Sequence, residues 1–144
     1  MQIHATVVRW HNKGIVFTGK SGSGKSTAAL LLMSKGAKLV ADDQIILSIE
    51  KNKCFASCPE TIKNKMEVRG VGIVDVMALK KTSVDLIVDL VQNPQDVPRM
   101  PIREIQIYEN FSIPKLTLCA FDVAFCERLD MAIKHYHLFT CEKK

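Results

Sequence analysis

Apolar positions fall into short runs with two different periods. Between Ile3 and Trp10 they alternate with polar ones around the β-branched pair Val7-Val8, which predicts a strand. His11-Asn12-Lys13-Gly14 has turn chemistry, and Ile15-Val16-Phe17-Thr18 is a continuous apolar run. Together they predict a hairpin whose second strand is buried on both faces. A Gly/Ser stretch, Gly19–Gly24, follows. Beyond it Ala28, Ala29, Leu31 and Leu32 mark one helical face, predicting a helix from Lys25 to about Lys35 with Gly36 as its stop.

The remaining chain continues the mixture. Ala37–Ala41 predicts a strand running into Asp42-Asp43, and Ile45–Ile49 with Lys53–Ala56 a hairpin across Glu50-Lys51-Asn52. Cys58–Lys65 has no clear period. Val68–Val76 is strand-like but holds two glycines, which predicts close approach of its backbone to a neighbour. Val84–Val91 predicts a buried strand, Asn93–Pro101 a proline-rich loop, Glu104–Ile107 and Lys115–Leu118 late strands, and Phe121–Tyr136 a helix. No repeat, low-complexity tract or linker interrupts this order, so residues 1–144 read as one α/β domain.

Composition narrows the setting. A chain of 144 residues, 47% hydrophobic and 24% charged, can bury a core without disulfides. Its five cysteines are odd in number, and Met1-Gln2-Ile3-His4 lacks the apolar run of a secretion signal, so a reducing cytoplasm is expected. Cys54 and Cys58 are spaced like half of a zinc site, but the next such pair, His135 and His137, lies far downstream; free thiols are expected instead. No apolar stretch has the length of a membrane span. The net charge of +5 suits a phosphate-rich ligand or an acidic partner. Apart from pairs such as Lys80-Lys81 and Lys143-Lys144 the basic residues are scattered, which argues against a nucleic-acid stripe.

The chemistry begins at Gly19-Lys20-Ser21-Gly22-Ser23-Gly24-Lys25-Ser26, a full match to G-x-x-x-x-G-K-[ST] placed between a buried strand and a helix. Glycines let successive backbone N–H groups turn inward around an anion, and the helix N-terminus adds its positive end. Lys25 is expected to meet the β- and γ-phosphates of ATP, and the Ser26 hydroxyl to join the Mg²⁺ shell.

Asp42 and Asp43 end a predicted strand, where ligands gather in open α/β sheets. Phosphoryl transfer asks for two acids there, one for Mg²⁺ or its water and one to accept a hydroxyl proton. Glu67 and Arg69 stand two residues apart on an extended segment, hence on one side of it, offering a metal ligand and a phosphate contact or simply a structural ion pair. His4 by itself carries no message.

Taken together, these pieces resemble the C-terminal catalytic domain of the HPr(Ser) kinase/phosphorylase family. That family phosphorylates a serine of HPr, the small phosphocarrier of the sugar phosphotransferase system, and removes the phosphate by phosphorolysis. The family's functional histidine, twenty-one residues before the loop lysine, falls on His4. Its Leu-Val-Ala-Asp-Asp is Leu39–Asp43, with Asp43 as the proton acceptor. Its Glu-Ile-Arg-Gly-hydrophobic-Gly-Ile is Glu67–Ile73, with Glu67 in the Mg²⁺ role and Arg69, Gly70 and Gly72 alongside. A family arginine in Asp-Arg-Leu falls on Arg99. The resemblance implies a mixed sheet like that of PEP carboxykinase, a C-terminal helix, a hexamer, and an HPr-like phosphocarrier as partner in the control of carbon and nitrogen metabolism.

Three departures change what is expected. The family's N-terminal domain is absent, so the chain reads as a short form. Ala78–Ser83 leaves no room for a Gly-rich loop that the family carries there. The family's Pro-Val-Lys-x-Gly-Arg-Asn, linked to phosphorolysis, falls near Cys119–Phe125, which holds no Lys, Arg or Gly. Kinase activity is therefore expected over phosphorolysis. Two other readings stay open: an ATP-binding sensor with little catalysis, and a small-molecule P-loop kinase, against which stands the lack of an arginine-rich lid helix.

Overall fold

The computed structural model describes residues 1–101 and 104–138; Cys141 and the Lys143-Lys144 pair lie outside them. Among the described residues twelve strands and two α-helices follow one another as β1 (Gln2–His4), β2 (Thr6–Trp10), β3 (Lys13–Thr18), α1 (Lys25–Met33), β4 (Lys38–Ala41), β5 (Gln44–Glu50), β6 (Lys53–Ser57), β7 (Lys65–Val68), β8 (Gly72–Asp75), β9 (Lys81–Ser83), β10 (Leu86–Leu90), β11 (Glu104–Tyr108), β12 (Phe111–Leu118) and α2 (Phe125–Lys134).

The core is a six-stranded mixed sheet in the order β11-β12-β10-β3-β2-β4. β10 runs parallel to both β3 and β12, while the other neighbours are antiparallel. Being central, β3 and β10 bury both faces, which is why each reads as an unbroken apolar run. On one face Ile15, Phe17, Leu86 and Val88 pack with Ala28, Ala29 and Leu32 of α1 and with Phe125, Leu129 and Ile133 of α2. On the other, Val7, Val16 and Ile87 pack with Ile45, Leu47 and Ala56 from a four-stranded sheet of order β1-β5-β6-β9. The result is three layers: helices, mixed sheet, small sheet. The β7–β8 hairpin closes the helical side through Met66, Val68, Val74 and Val76.

Two tight turns are fixed by local chemistry. His11 and Asn12 (φ 50° and 62°), and Lys51 and Asn52 (φ 51° and 62°), place two successive residues in the left-handed region. Such a turn has the twist that a two-residue hairpin requires, and asparagine tolerates it well.

Five expectations are corrected. The Ile3–Trp10 run is two strands, because the chain leaves the small sheet after His4 and enters the large one at Thr6. Alternation in sequence persists across that switch, so the pattern hides it. Val68–Val76 is likewise no single strand: Arg69-Gly70-Val71 turns the chain from β7 into β8, and Arg69 shares no extended face with Glu67. Nor do its glycines permit close approach, since a Cβ at Gly70 or Gly72 would meet nothing within 4 Å. Their φ values of 86° and 120° are what the turn requires. The C-terminal helix opens at Phe125, four residues after the expected start, because the Asp122 carboxylate accepts the Ala124 N–H (3.2 Å) and holds the chain in a turn.

The close approach lies elsewhere. At Gly14, where β3 begins beside the β9–β10 connection, a Cβ would stand 1.6 Å from the Ser83 carbonyl oxygen. Main chain cannot yield as a side chain can. Gly14→Ala is expected to destabilise the fold by about 3 kcal/mol, at the upper end of overpacking costs, read as a lower urea midpoint.

Candidate active site

The carboxyl ends of β3 and β4 supply the centre of the site, and the end of β1 supplies its edge. Thr18 ends β3, and the chain loops through Gly19–Gly24 into α1. Gly19, Gly22 and Gly24 adopt φ of 142°, 82° and 104°, a path that side chains would oppose. Lys25 opens the helix, and its ammonium donates to the carbonyls of Gly19 (2.8 Å) and Lys20 (3.2 Å). Ser21 lies exposed on the loop's rim, whereas Ser23 is 2% exposed and its hydroxyl has no hydrogen-bond partner among the described residues. A buried polar atom without a partner, inside a glycine loop at a helix N-terminus, fits a site for a bound anion.

From the β4 side comes Asp42, only 9% exposed. Its Oδ1 accepts from the Ser26 hydroxyl (2.7 Å) and from the Thr6 hydroxyl (3.1 Å). Thr6, itself fully buried, also accepts the Asp43 N–H at 3.3 Å. One threonine thus fixes both members of the acidic pair. Asp42 and the Ser26 hydroxyl form a compact set of hard oxygen donors, the chemistry Mg²⁺ selects with few protein ligands.

Asp43 points the other way. Its backbone is left-handed (φ 77°), a conformation aspartate adopts more readily than most residues. Its side chain is 71% exposed and lies 3.7 Å from His4 Nδ1. The Ala5 N–H donates to the Asp43 carbonyl (3.1 Å), tying the strand switch to the acidic pair. Of the expected residues, then, the fold gathers Gly19–Ser26 with Asp42, and His4 with Asp43, on adjoining parts of one surface.

Glu67 and Arg69 are exposed at the end of the β7–β8 hairpin and make no hydrogen bond or ion pair among the described residues. Met66 and Val68 turn into the core, so Glu67 between them faces outward. Arg99 lines a separate cavity of about 330 Å³ between α2 and β12, with Arg128, His135, Leu116 and Met131. No residue of the Gly19–Ser26 loop or the acidic pair lines it.

Two polar residues of the site escape reading from sequence. Thr6 is one polar position in an apolar strand. Asp89 sits mid-strand in β10 and accepts from the Thr18 hydroxyl at 3.0 Å, bracing the entry to the loop. Neither has a motif; only the sheet register brings them in.

A profile of the HPr Serine kinase C-terminal domain family matches residues 1–129. The chain belongs to that family. HPr kinase/phosphorylase of Mycoplasmopsis pulmonis is 35% identical over 82% of this chain, and that of Caldanaerobacter subterraneus 35% identical over 81%. Each alignment covers 42% of the relative, so this chain spans less than half the length of the curated proteins it matches. Among solved structures, the Hpr(Ser) kinase/phosphatase from Coxiella burnetii superposes with a TM-score of 0.81 at 26% identity, covering 95% of this chain and 90% of that one. Membership in the HPr kinase family accounts for the mixed sheet and the C-terminal helix together.

Where the family resemblance placed a basic stretch, this family member has Cys119–Phe125. The segment's charge is the Asp122 carboxylate, held below the usual carboxylate range by the Ala124 N–H and by Arg128. Among the described residues Cys54, Cys58, Cys119 and Cys126 are free thiols, and burial pushes those of Cys54, Cys58 and Cys126 up, away from thiolate reactivity. No group of three metal-ligating side chains occurs among the described residues. No helix there is long and apolar enough to cross a membrane.

Proposed function

We propose that this HPr kinase family domain transfers the γ-phosphoryl group of ATP to a serine of HPr or a related phosphocarrier, with Mg²⁺ bound at Ser26 and Asp42. The observation that carries this reading is the 2.7 Å contact from Ser26 to Asp42 at the mouth of the glycine loop. It joins an anion cradle to a metal-type donor pair. When bound, Mg²⁺ supplies charge neutralisation between the β- and γ-phosphates.

The chain's own residues divide the rest. Gly19, Lys20, Ser21, Gly22, Ser23 and Gly24 line the phosphates, Ser23 through its hydroxyl because its N–H donates to the Lys20 carbonyl (2.9 Å), and Lys25 turns its ammonium from loop carbonyls to phosphate oxygens. Asp43 takes the proton of the attacking serine hydroxyl as its oxygen bonds to phosphorus, and the bond to the β-phosphate oxygen breaks to release ADP. His4, 3.7 Å away, orients that carboxylate. Glu67, Arg69 and Arg99 lie outside this first set of contacts. In this reading Glu67 reaches the metal shell through water, Arg69 beside Gly70 and Gly72 meets the incoming protein, and Arg99 acts from its own cavity.

The finer features belong to the same proposal. Residues 1–144 form a single PEP carboxykinase-like domain that works in the cytoplasm as a homo-oligomer, hexameric by resemblance, without nucleic acid or membrane. The absence of Lys, Arg and Gly from Cys119–Phe125 favours the kinase direction over phosphorolysis. The same absence supports the second reading, an ATP-binding sensor.

Incubation with γ-labelled ATP, Mg²⁺ and HPr separates the readings. Label is expected on an HPr serine, with little release of pyrophosphate when phospho-HPr is offered with inorganic phosphate. ATP binding without transfer to any phosphocarrier favours the sensor. In the same assay Glu67→Gln is expected to raise the Mg²⁺ concentration for half-maximal transfer about fivefold, while metal-free nucleotide binding is unchanged. An unaltered Mg²⁺ dependence returns Glu67 to the structural residues.

A further inference from the structure

The connection between β12 and α2 passes beside the glycine loop. A Cβ at Gly24 would stand 3.0 Å from Ala120 Cβ and 3.2 and 3.4 Å from two ring carbons of Phe121. The Phe121 ring therefore rests against the loop's last residue before the helix. Unlike the core rings of Phe17 and Phe125, which are 0% and 1% exposed, it remains 53% open to solvent. Single exposed apolar side chains are common and need no explanation. This one is set apart by its support: one side is held against loop backbone and the rest is bare, at the place where a loop ligand would leave.

Strand order says which end of a nucleotide reaches it. β4, with Asp42 at its end, lies two places to one side of β3, and β12 lies two places to the other. Ser26 bonds Asp42, so the metal and the reacting end of the triphosphate belong to the β4 side. The base, at the opposite end of the molecule, leaves toward β10 and β12. There the chain presents Gln92, whose amide donates to the Gly22 carbonyl (3.3 Å), and the Phe121 ring.

We propose that Phe121 is the platform on which the base of the bound nucleotide stacks. This rests on the nucleotide-binding reading above and adds the base subsite to it. Every nucleobase has a π-face, and an aromatic–base stack is worth roughly five- to hundredfold in affinity.

Calorimetric titration of Mg²⁺·ATP and Mg²⁺·tripolyphosphate into wild type, Phe121→Ala, Phe121→Trp and Lys25→Ala tests it. Tripolyphosphate carries the phosphates without a base. Phe121→Ala is expected to lose about tenfold for ATP and to bind tripolyphosphate as wild type does, while Phe121→Trp keeps or raises ATP affinity. Phe121→Leu, which keeps bulk without a π-face, serves if the alanine variant does not fold. Unchanged ATP affinity in Phe121→Ala, with loss of both ligands in Lys25→Ala, overturns the platform and leaves the phosphate loop standing. An equal loss for both ligands in Phe121→Ala overturns it too, because the ring then shapes the loop rather than meeting the base. Unchanged binding of both ligands in Lys25→Ala overturns the nucleotide reading itself, and the platform with it.

Discussion

Lys25→Ala is expected to weaken Mg²⁺·ATP binding about hundredfold, the worth of two charge-assisted hydrogen bonds at the lower end of their range. The side chain's described partners are the carbonyls of Gly19 and Lys20, 2.8 and 3.2 Å away, within the loop it serves. Its removal therefore leaves the three-layer core intact, and the ligand-free thermal midpoint should stay close to that of wild type. Loss of affinity at constant stability separates a phosphate ligand from a structural lysine. Calorimetry alongside thermal unfolding gives both numbers from one preparation, and equal ATP affinities would remove the phosphate-loop reading.

Replacing either aspartate by asparagine should divide the acidic pair, because the two carboxylates have different surroundings. Asp43→Asn is expected to lower phosphoryl transfer to a carrier serine by about 10²–10⁴-fold, the usual contribution of a general base, with ATP affinity within a few-fold of wild type. Asparagine accepts the left-handed φ of 77° as well as aspartate does, so backbone strain does not confuse the result. Asp42→Asn disturbs the bonds from Ser26 and Thr6, and is expected to show first as a raised Mg²⁺ requirement. Single-turnover transfer rates across a Mg²⁺ series distinguish the two effects. If Asp42→Asn proves the slower enzyme at saturating Mg²⁺, the roles of base and metal ligand are exchanged. If neither change slows transfer, the sensor reading prevails.

Much of this site is written in local sequence, and some of it is not. Gly19–Ser26 is legible because the loop's chemistry is its backbone path, and glycines at fixed spacing encode that path directly. The paired residues His11-Asn12 and Lys51-Asn52 give away their turns for the same reason. What resists reading depends on a partner distant in the chain. The break at Ala5 arises because β1 finds β5 while β2 finds β4, and no local preference marks the change. Asp42 and Asp43 look interchangeable until Thr6 holds the carboxylate of one and only the backbone of the other, whose side chain faces His4. Glu67 and Arg69 share a strand only if the glycines between them and Ile73 are taken for a close approach, when they make a turn. Phe121 passes for the start of a helix, because an apolar residue one turn before Phe125 fits the helical period.

The strand switch also divides the labour of the site. His4 belongs to the small sheet, whereas the Gly19–Ser26 loop and Asp42 follow strands of the large one, and the chain crosses between the two sheets at Ala5, at Asp42-Asp43 and at Val84-Asp85. His4 pairs with Gln44 and the Ala5 N–H holds the Asp43 carbonyl, so a slight tilt of the outer layer would carry His4 and Asp43 together relative to the glycine loop. Under the proposed mechanism the proton acceptor thus rides on one layer and the phosphate grip on the next, so a shift of the outer layer would slow transfer before it loosened the nucleotide.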